Sequence, residues 1–159
     1  MKKLLVIPLM LITLLGSAQD DRFTFSVNTE PYAYSDGFNI GAAIEYQMRI
    51  MYFKAQVFYF PQLNGVDYFD YEGTVLGLNL RTTPFDEDRL YTGLKVGLIR
   101  RGGGTHPKIG FEGGYEHYFR NFFVGFEWSY DYRADGRVWE ASADMYWQLN
   151  GKFKIGIAW

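Results

Sequence analysis

The chain has 159 residues, of which 48% are hydrophobic, 19% aromatic and 21% charged, with no cysteine. That is room for one ordinary domain, too apolar for a disordered chain, and it excludes a disulfide scaffold or a cysteine-based zinc module. A formal net charge of −2, more acidic still once Lys2 and Lys3 are set aside, provides no basic field for nucleic acid.

Residues 1–19 read as an export signal: a basic Met1-Lys2-Lys3, an apolar run from Leu4 to Leu15, and small residues Gly16-Ser17-Ala18 before Gln19. The run falls short of the roughly 20 apolar residues of a spanning helix. With no cysteine to carry a lipid, a lipoprotein signal is excluded. Residues 20–159 are expected to form one exported domain.

From there the chain alternates between apolar and polar residues, the period of a strand with two unlike faces. In chain order the apolar members are Phe23–Val27, Phe38–Met48, Met51–Tyr59, Leu76–Leu80, Leu90–Leu98, Ile109–Tyr115, Phe122–Tyr130, Trp139–Leu149 and Phe153–Trp159. Helical spacing is nowhere favoured, so the fold class is all-β. Asn150-Gly151 is a strong hairpin signal, and Arg49 and Arg120-Asn121 mark tight reversals. Thr83–Asp88 reads as a longer polar turn. Looser connections are expected at Pro31–Gly37, Pro61–Phe69, Gly102–His106 and Arg133–Arg137, so that one end of the sheet is trimmed and the other elaborated.

The apolar face holds too many large side chains for the inside of a small barrel, and the opposite face is thinly charged and rich in Gly, Ala and Ser. A closed barrel with its apolar face toward lipid and its polar face inside resolves both observations, since closure pairs every backbone group. Leu78 is then expected to face outward and Asn79 inward. Tyr46, Tyr59, Phe60, Tyr118, Phe119, Phe122, Tyr130, Tyr132, Trp139, Trp147 and Trp159 cluster near segment ends, where rings with a polar handle suit a membrane–water boundary.

With these features the whole chain resembles small bacterial outer-membrane β-barrel proteins of the eight-stranded kind: closed, antiparallel, up-and-down transmembrane barrels. The closing segment Lys152–Trp159 is similar to that family's terminal strand, with Trp159 in place of the commoner terminal Phe. The resemblance implies residence in the outer membrane of a Gram-negative bacterium and recognition of the Trp159 strand by the outer-membrane assembly machinery. The partners it implies are membrane lipid and lipopolysaccharide, and the expected state is a monomer. Nine alternating segments are one too many for an even-numbered barrel. Either Arg22–Glu30 stays outside the wall or residues 138–149 partly form an outer hairpin.

The interior charges expected from the alternation are Glu45, Glu112, Glu116, Glu127 and Asp144 against Lys54, Arg81, Lys95, Lys152 and Lys154. Five acids against five bases suit a plugged interior, because buried charges must be paired. Lys95 and Glu112 are expected on adjacent strands within one polar network. Paired carboxylates for acid–base catalysis are the lesser reading. Asp36, Asp67, Asp70, Glu72, Asp131 and Asp135 are expected to form an acidic rim beside the looser loops. His106, in a loop, and His117, near a strand end, make a poor metal site, and no catalytic or cofactor motif is found. Arg100–Pro107 is Gly-rich but lacks the Gly-Lys-Ser/Thr of a phosphate loop. It reads as a connection whose arginines could meet lipopolysaccharide phosphates. The leading reading is a structural or surface-interaction barrel acting through its outer loops, including a phage-borne surface-masking variant. A narrow porin-like channel and a lipid-modifying enzyme are the alternatives.

Overall fold

The computed structural model describes residues 21–30, 38–61, 68–81, 87–101, 104–134 and 146–159. Residues 1–19, read above as an export signal, and Asp36, Asp67, Asp135, Trp139 and Asp144 lie outside the described residues. Eight strands follow one another in chain order: β1 (Arg22–Glu30), β2 (Asn39–Gln47), β3 (Met51–Tyr59), β4 (Phe69–Arg81), β5 (Asp88–Arg101), β6 (Gly104–Phe119), β7 (Phe122–Arg133) and β8 (Tyr146–Ala158). Each pairs antiparallel with the next, and β8 returns to β1 to close the barrel. The seam runs from Thr24↔Ala158 to Thr29↔Phe153, and Phe23 and Trp159 exchange both backbone hydrogen bonds at 3.0 Å.

Following the register once around the wall, from Thr24 through Glu45, Lys54, Thr74, Lys95, Gly110 and Asp131 to Gln148, returns to β1 displaced by about ten residues. Eight strands with that stagger tilt by about 40° and leave an interior only wide enough for side chains. The start of β1, the end of β8 and the strand ends at the β2–β3, β4–β5 and β6–β7 junctions share one end, called the lower end. The strand ends at the β1–β2, β3–β4, β5–β6 and β7–β8 junctions share the upper end.

Two expectations about strand count are corrected. Arg22–Glu30 belongs to the wall, paired on both sides. Asn150-Gly151 is no hairpin: both residues sit inside β8, opposite Ser129 and Trp128 of β7. A two-residue turn would place Leu149 and Lys152 on the same face, yet Leu149 is exposed and Lys152 is buried, so the extended backbone runs straight through. Gly151 is used instead for close approach, because a Cβ there would stand 3.2 Å from the Phe126 ring.

The loose connection expected at Gly102–His106 is also corrected. β5 runs to Arg101 and β6 starts at Gly104, with the two in register, so His106 is a strand residue. Buried anchoring of Arg101, described below, holds β5 to its end. The tight reversal at Arg49 is supported by Asn79, whose side-chain amide donates to the carbonyls of Met48 (2.7 Å) and Met51 (3.0 Å).

At the other tight reversal Arg120 adopts φ 61°, a left-handed conformation that costs a residue with a Cβ roughly 1 kcal/mol. Arg120→Gly is therefore expected to raise stability by roughly 0.5–1 kcal/mol, read as a higher urea midpoint with an unchanged slope.

Inward-facing glycines make room for rings. Tyr52 of β3 lies over Gly77 of β4, where an added Cβ would be 2.5 Å from the ring, and Phe123 of β7 lies over Gly156 of β8 in the same way. Phe60 and Tyr118, expected at the membrane boundary, are buried inside the barrel. Each lies beside a cation: Phe60 under Arg101 and Tyr118 under Arg22.

Candidate functional site

Strand alternation sends every second side chain inward, and the interior of this barrel is ionic. Among the described residues, eight carboxylates (Glu30, Glu45, Asp70, Glu72, Glu112, Glu116, Glu127, Asp131) and eight cations (Lys54, Arg89, Lys95, Arg101, Lys108, Arg133, Lys152, Lys154) are buried. The balance is what a dry interior requires, since an unpaired buried charge costs several kcal/mol.

The charges form a connected column. At the lower end Arg89 of β5 meets Glu45 (2.5 Å) and Glu116 (2.7 Å). Its Nε donates to Asn79 at 2.8 Å, and its guanidinium lies 4.7 and 4.4 Å from the Tyr52 and Tyr91 ring centres. Lys154 joins Glu116 to Glu127. In the middle Lys54 bridges Glu112 (2.6 Å) and Glu127 (2.7 Å). The hydroxyls of Tyr52 and Thr74 both donate to Glu112 at 2.6 Å, and that of Tyr91 donates to Glu127 at 2.7 Å.

Above this layer Glu72 is the hub. It accepts from Lys95 (2.9 Å), Lys152 (3.5 Å), Gln56 (2.6 Å) and Lys108. Asp131 faces Lys95 at 2.9 Å and Lys108 at 3.1 Å. At the upper mouth Asp70 holds Arg101 (2.7 Å) and Arg133 (3.6 Å), with Arg101 over the Phe60 ring.

Glu45, Lys54, Lys95, Glu112, Glu116, Glu127, Lys152 and Lys154 all lie in this column. Arg81 pairs through its backbone with Arg89, and nothing is described of its side chain. Lys95 and Glu112 face inward on adjacent strands but take different partners, and one route linking them runs through Glu72, Lys152, Glu127 and Lys54. Coupling is therefore expected at Lys54–Glu112: Lys54→Met and Glu112→Gln should each cost about 3 kcal/mol or more, and the double variant less than their sum. Urea unfolding of the four species in lipid measures this cycle.

The acidic rim is corrected for its described members. Asp70, Glu72 and Asp131 are buried ion-pair partners inside the barrel, not solvated loop acids. Glu30, Arg89, Lys108 and Arg133 join the interior without having been expected there. The parity of Arg89 with Tyr91 and Lys95 was the available signal. Arg101, read as part of a connection whose arginines could meet lipopolysaccharide phosphates, is a buried strand residue paired with Asp70.

The outer wall is the converse of the interior. Among outward-facing residues of the described strands, Asp88 at the lower end and Arg100 at the upper end of β5 are the charged ones, with Leu90, Thr92, Leu94, Val96 and Leu98 between them. Twelve residues at ~3.3 Å each, tilted about 40°, separate those charges by roughly 30 Å along the barrel axis. That is close to the thickness of a bilayer's hydrocarbon core. Tyr59, Tyr71, Tyr130 and Trp147 line the upper part of the wall; Tyr115 and Trp159 line the lower. His117 lies on this outer face, its Nδ1 2.8 Å from Asp88, which also accepts from the Tyr115 hydroxyl. Leu78 is exposed and Asn79 buried.

No protein-family model matches the chain, and no curated protein matches it. Among solved structures the chain is similar to Neisserial surface protein A, with 13% identity and a TM-score of 0.47, over 87% of this chain and 94% of that one.

Proposed function

We propose that the chain is an exported outer-membrane barrel whose plugged interior makes it a structural or surface-interaction protein, acting through the connections at its upper end. The observation that carries this reading is the inversion of polarity among the described residues: sixteen buried charges inside, and a wall without charged side chains outside between the levels of Asp88 and Arg100. A water-soluble fold places these faces the other way round, whereas lipid demands this arrangement. The longer stretches between strands, β1 to β2, β3 to β4 and β7 to β8, all join strand ends at the upper end, and the outward-facing Arg100 at that end suits lipopolysaccharide phosphates. The ion-paired column opposes a conducting path.

Cell fractionation with heat-shift electrophoresis tests the reading. The chain should partition with the outer membrane, migrate differently before and after boiling, and give no steady conductance in planar bilayers. A chain that, without residues 1–19, folds as a soluble monomer in plain buffer would overturn it.

A further inference from the structure

Resting on the membrane reading above, we propose that the outer wall carries a phospholipid site: a groove for one acyl chain, ending at a carboxylate that selects an amine-bearing headgroup. The groove, of about 710 Å³, crosses β6, β7, β8, β1 and β2 and is lined by Tyr115, Val124, Phe126, Phe153, Val27 and Ile40. Its volume lies in the range of small-molecule sites, and its lining sets the smaller outward side chains Val27 and Val124 among the rings of Tyr115, Phe126 and Phe153.

Two contacts tie its lower end to polar chemistry. Tyr115 lines the groove and donates its hydroxyl to Asp88. Val124 is the direct cross-strand neighbour of His117, whose Nδ1 is 2.8 Å from the same carboxylate. The side chains of His117 and Asp88 remain 34% and 26% exposed, so a headgroup can reach them.

Charge decides which headgroup. Asp88 is the anionic side chain on the outward face of the described strands; Arg100 lies at the opposite end, and the exposed Arg120 of the β6–β7 reversal suits the phosphate that both headgroups carry, which leaves Asp88 to tell them apart. A phosphoethanolamine ammonium therefore fits beside Asp88, and an uncharged glycerol headgroup gains nothing there. A second copy fits poorly. Both copies share one orientation in a membrane, so the Asp88 level of one would meet the Asp88 level of the other at an apolar boundary.

The test folds the chain into vesicles of equimolar phosphatidylethanolamine and phosphatidylglycerol, transfers it to mild detergent, and counts retained lipids by native mass spectrometry. One retained phosphatidylethanolamine per barrel is expected, enriched about threefold to fivefold over phosphatidylglycerol, the scale of one exposed ion pair. Val124→Trp should fill the groove and abolish retention, and Leu149→Trp, on the wall away from the groove, should leave it unchanged. Asp88→Asn should keep the retained lipid but remove the headgroup preference, an outcome independent of whether Val124→Trp folds. Absence of retained lipid from a barrel that still shows its heat shift, a dimer in its place, or an Asp88→Asn barrel with undiminished preference would overturn the site while leaving the membrane reading intact.

Discussion

Replacing Glu72 with alanine is expected to lower the stability of the folded barrel by about 3–5 kcal/mol, the cost of breaking a buried ion pair by removing one partner. Glu72 accepts from Lys95, Lys108 and Lys152 and from the Gln56 amide. Without it Lys95 is left to Asp131, which it shares with Lys108, Lys108 also keeps Asp70 at 3.5 Å, and among the described residues Lys152 keeps Glu127 at 3.4 Å and Glu30 at 3.7 Å. The buried charges, balanced among the described residues, are then left with one excess cation. Restoring the balance with Lys108→Met in the same background should recover part of the loss, because the two groups act within one network. Glu72→Gln should be milder than Glu72→Ala, since an amide oxygen still accepts a hydrogen bond. Reversible urea unfolding in lipid measures all three. A loss below about 1 kcal/mol for Glu72→Ala would mean that water solvates the column and that it is not a dry plug.

The second large effect concerns the opposite face of the wall. Leu94 lies midway between Asp88 and Arg100 on β5, and outward, between Leu76 and Phe111 on the neighbouring strands. Leu94→Arg should destabilise the barrel by roughly 2–4 kcal/mol, the cost of a cation at the bilayer midplane. Leu78 pairs with Thr92, four residues from the lower charge, so Leu78→Arg should cost less, about 1–2 kcal/mol by the same depth dependence. Asn79→Arg, pointing inward, probes the other face and should depend on Glu116 and Glu45 near Arg89, not on depth. Equal costs at Leu94 and Leu78 would contradict the placement of the membrane along this barrel.

Alternation of apolar and polar residues makes the fold class and the polarity of the two faces legible in the amino-acid sequence. A period of two needs no knowledge of neighbours, because each side chain's face is set by its own strand. The same rule, applied without a break, dissolves the Asn150-Gly151 hairpin. Trp147, Leu149, Phe153, Ile155 and Ile157 share one parity across it, and a two-residue turn would shift that parity. Asn-Gly is a local preference, worth little against a strand paired along its length with β7. Asp131 is legible too, sharing the parity of Glu127.

Asp70 and Glu72 are different, because their own strand misleads. By parity with Leu76, Leu78 and Leu80 they would face lipid. The register of β4 instead shifts between Thr74 and Leu76, a bulge that leaves Val75 and Leu76 both exposed and changes the phase of everything before them. A single inserted residue carries no compositional mark, so nothing in the string of letters announces it. Partner choice is equally hidden. Lys54 and Glu127 are 73 residues apart, yet meet at 2.7 Å, because the stagger of a closed barrel decides which levels of distant strands face each other across the interior. The face that most strands turn to lipid is written in their own alternation; which charge each buried charge meets is set by closure, with its bulge and its stagger.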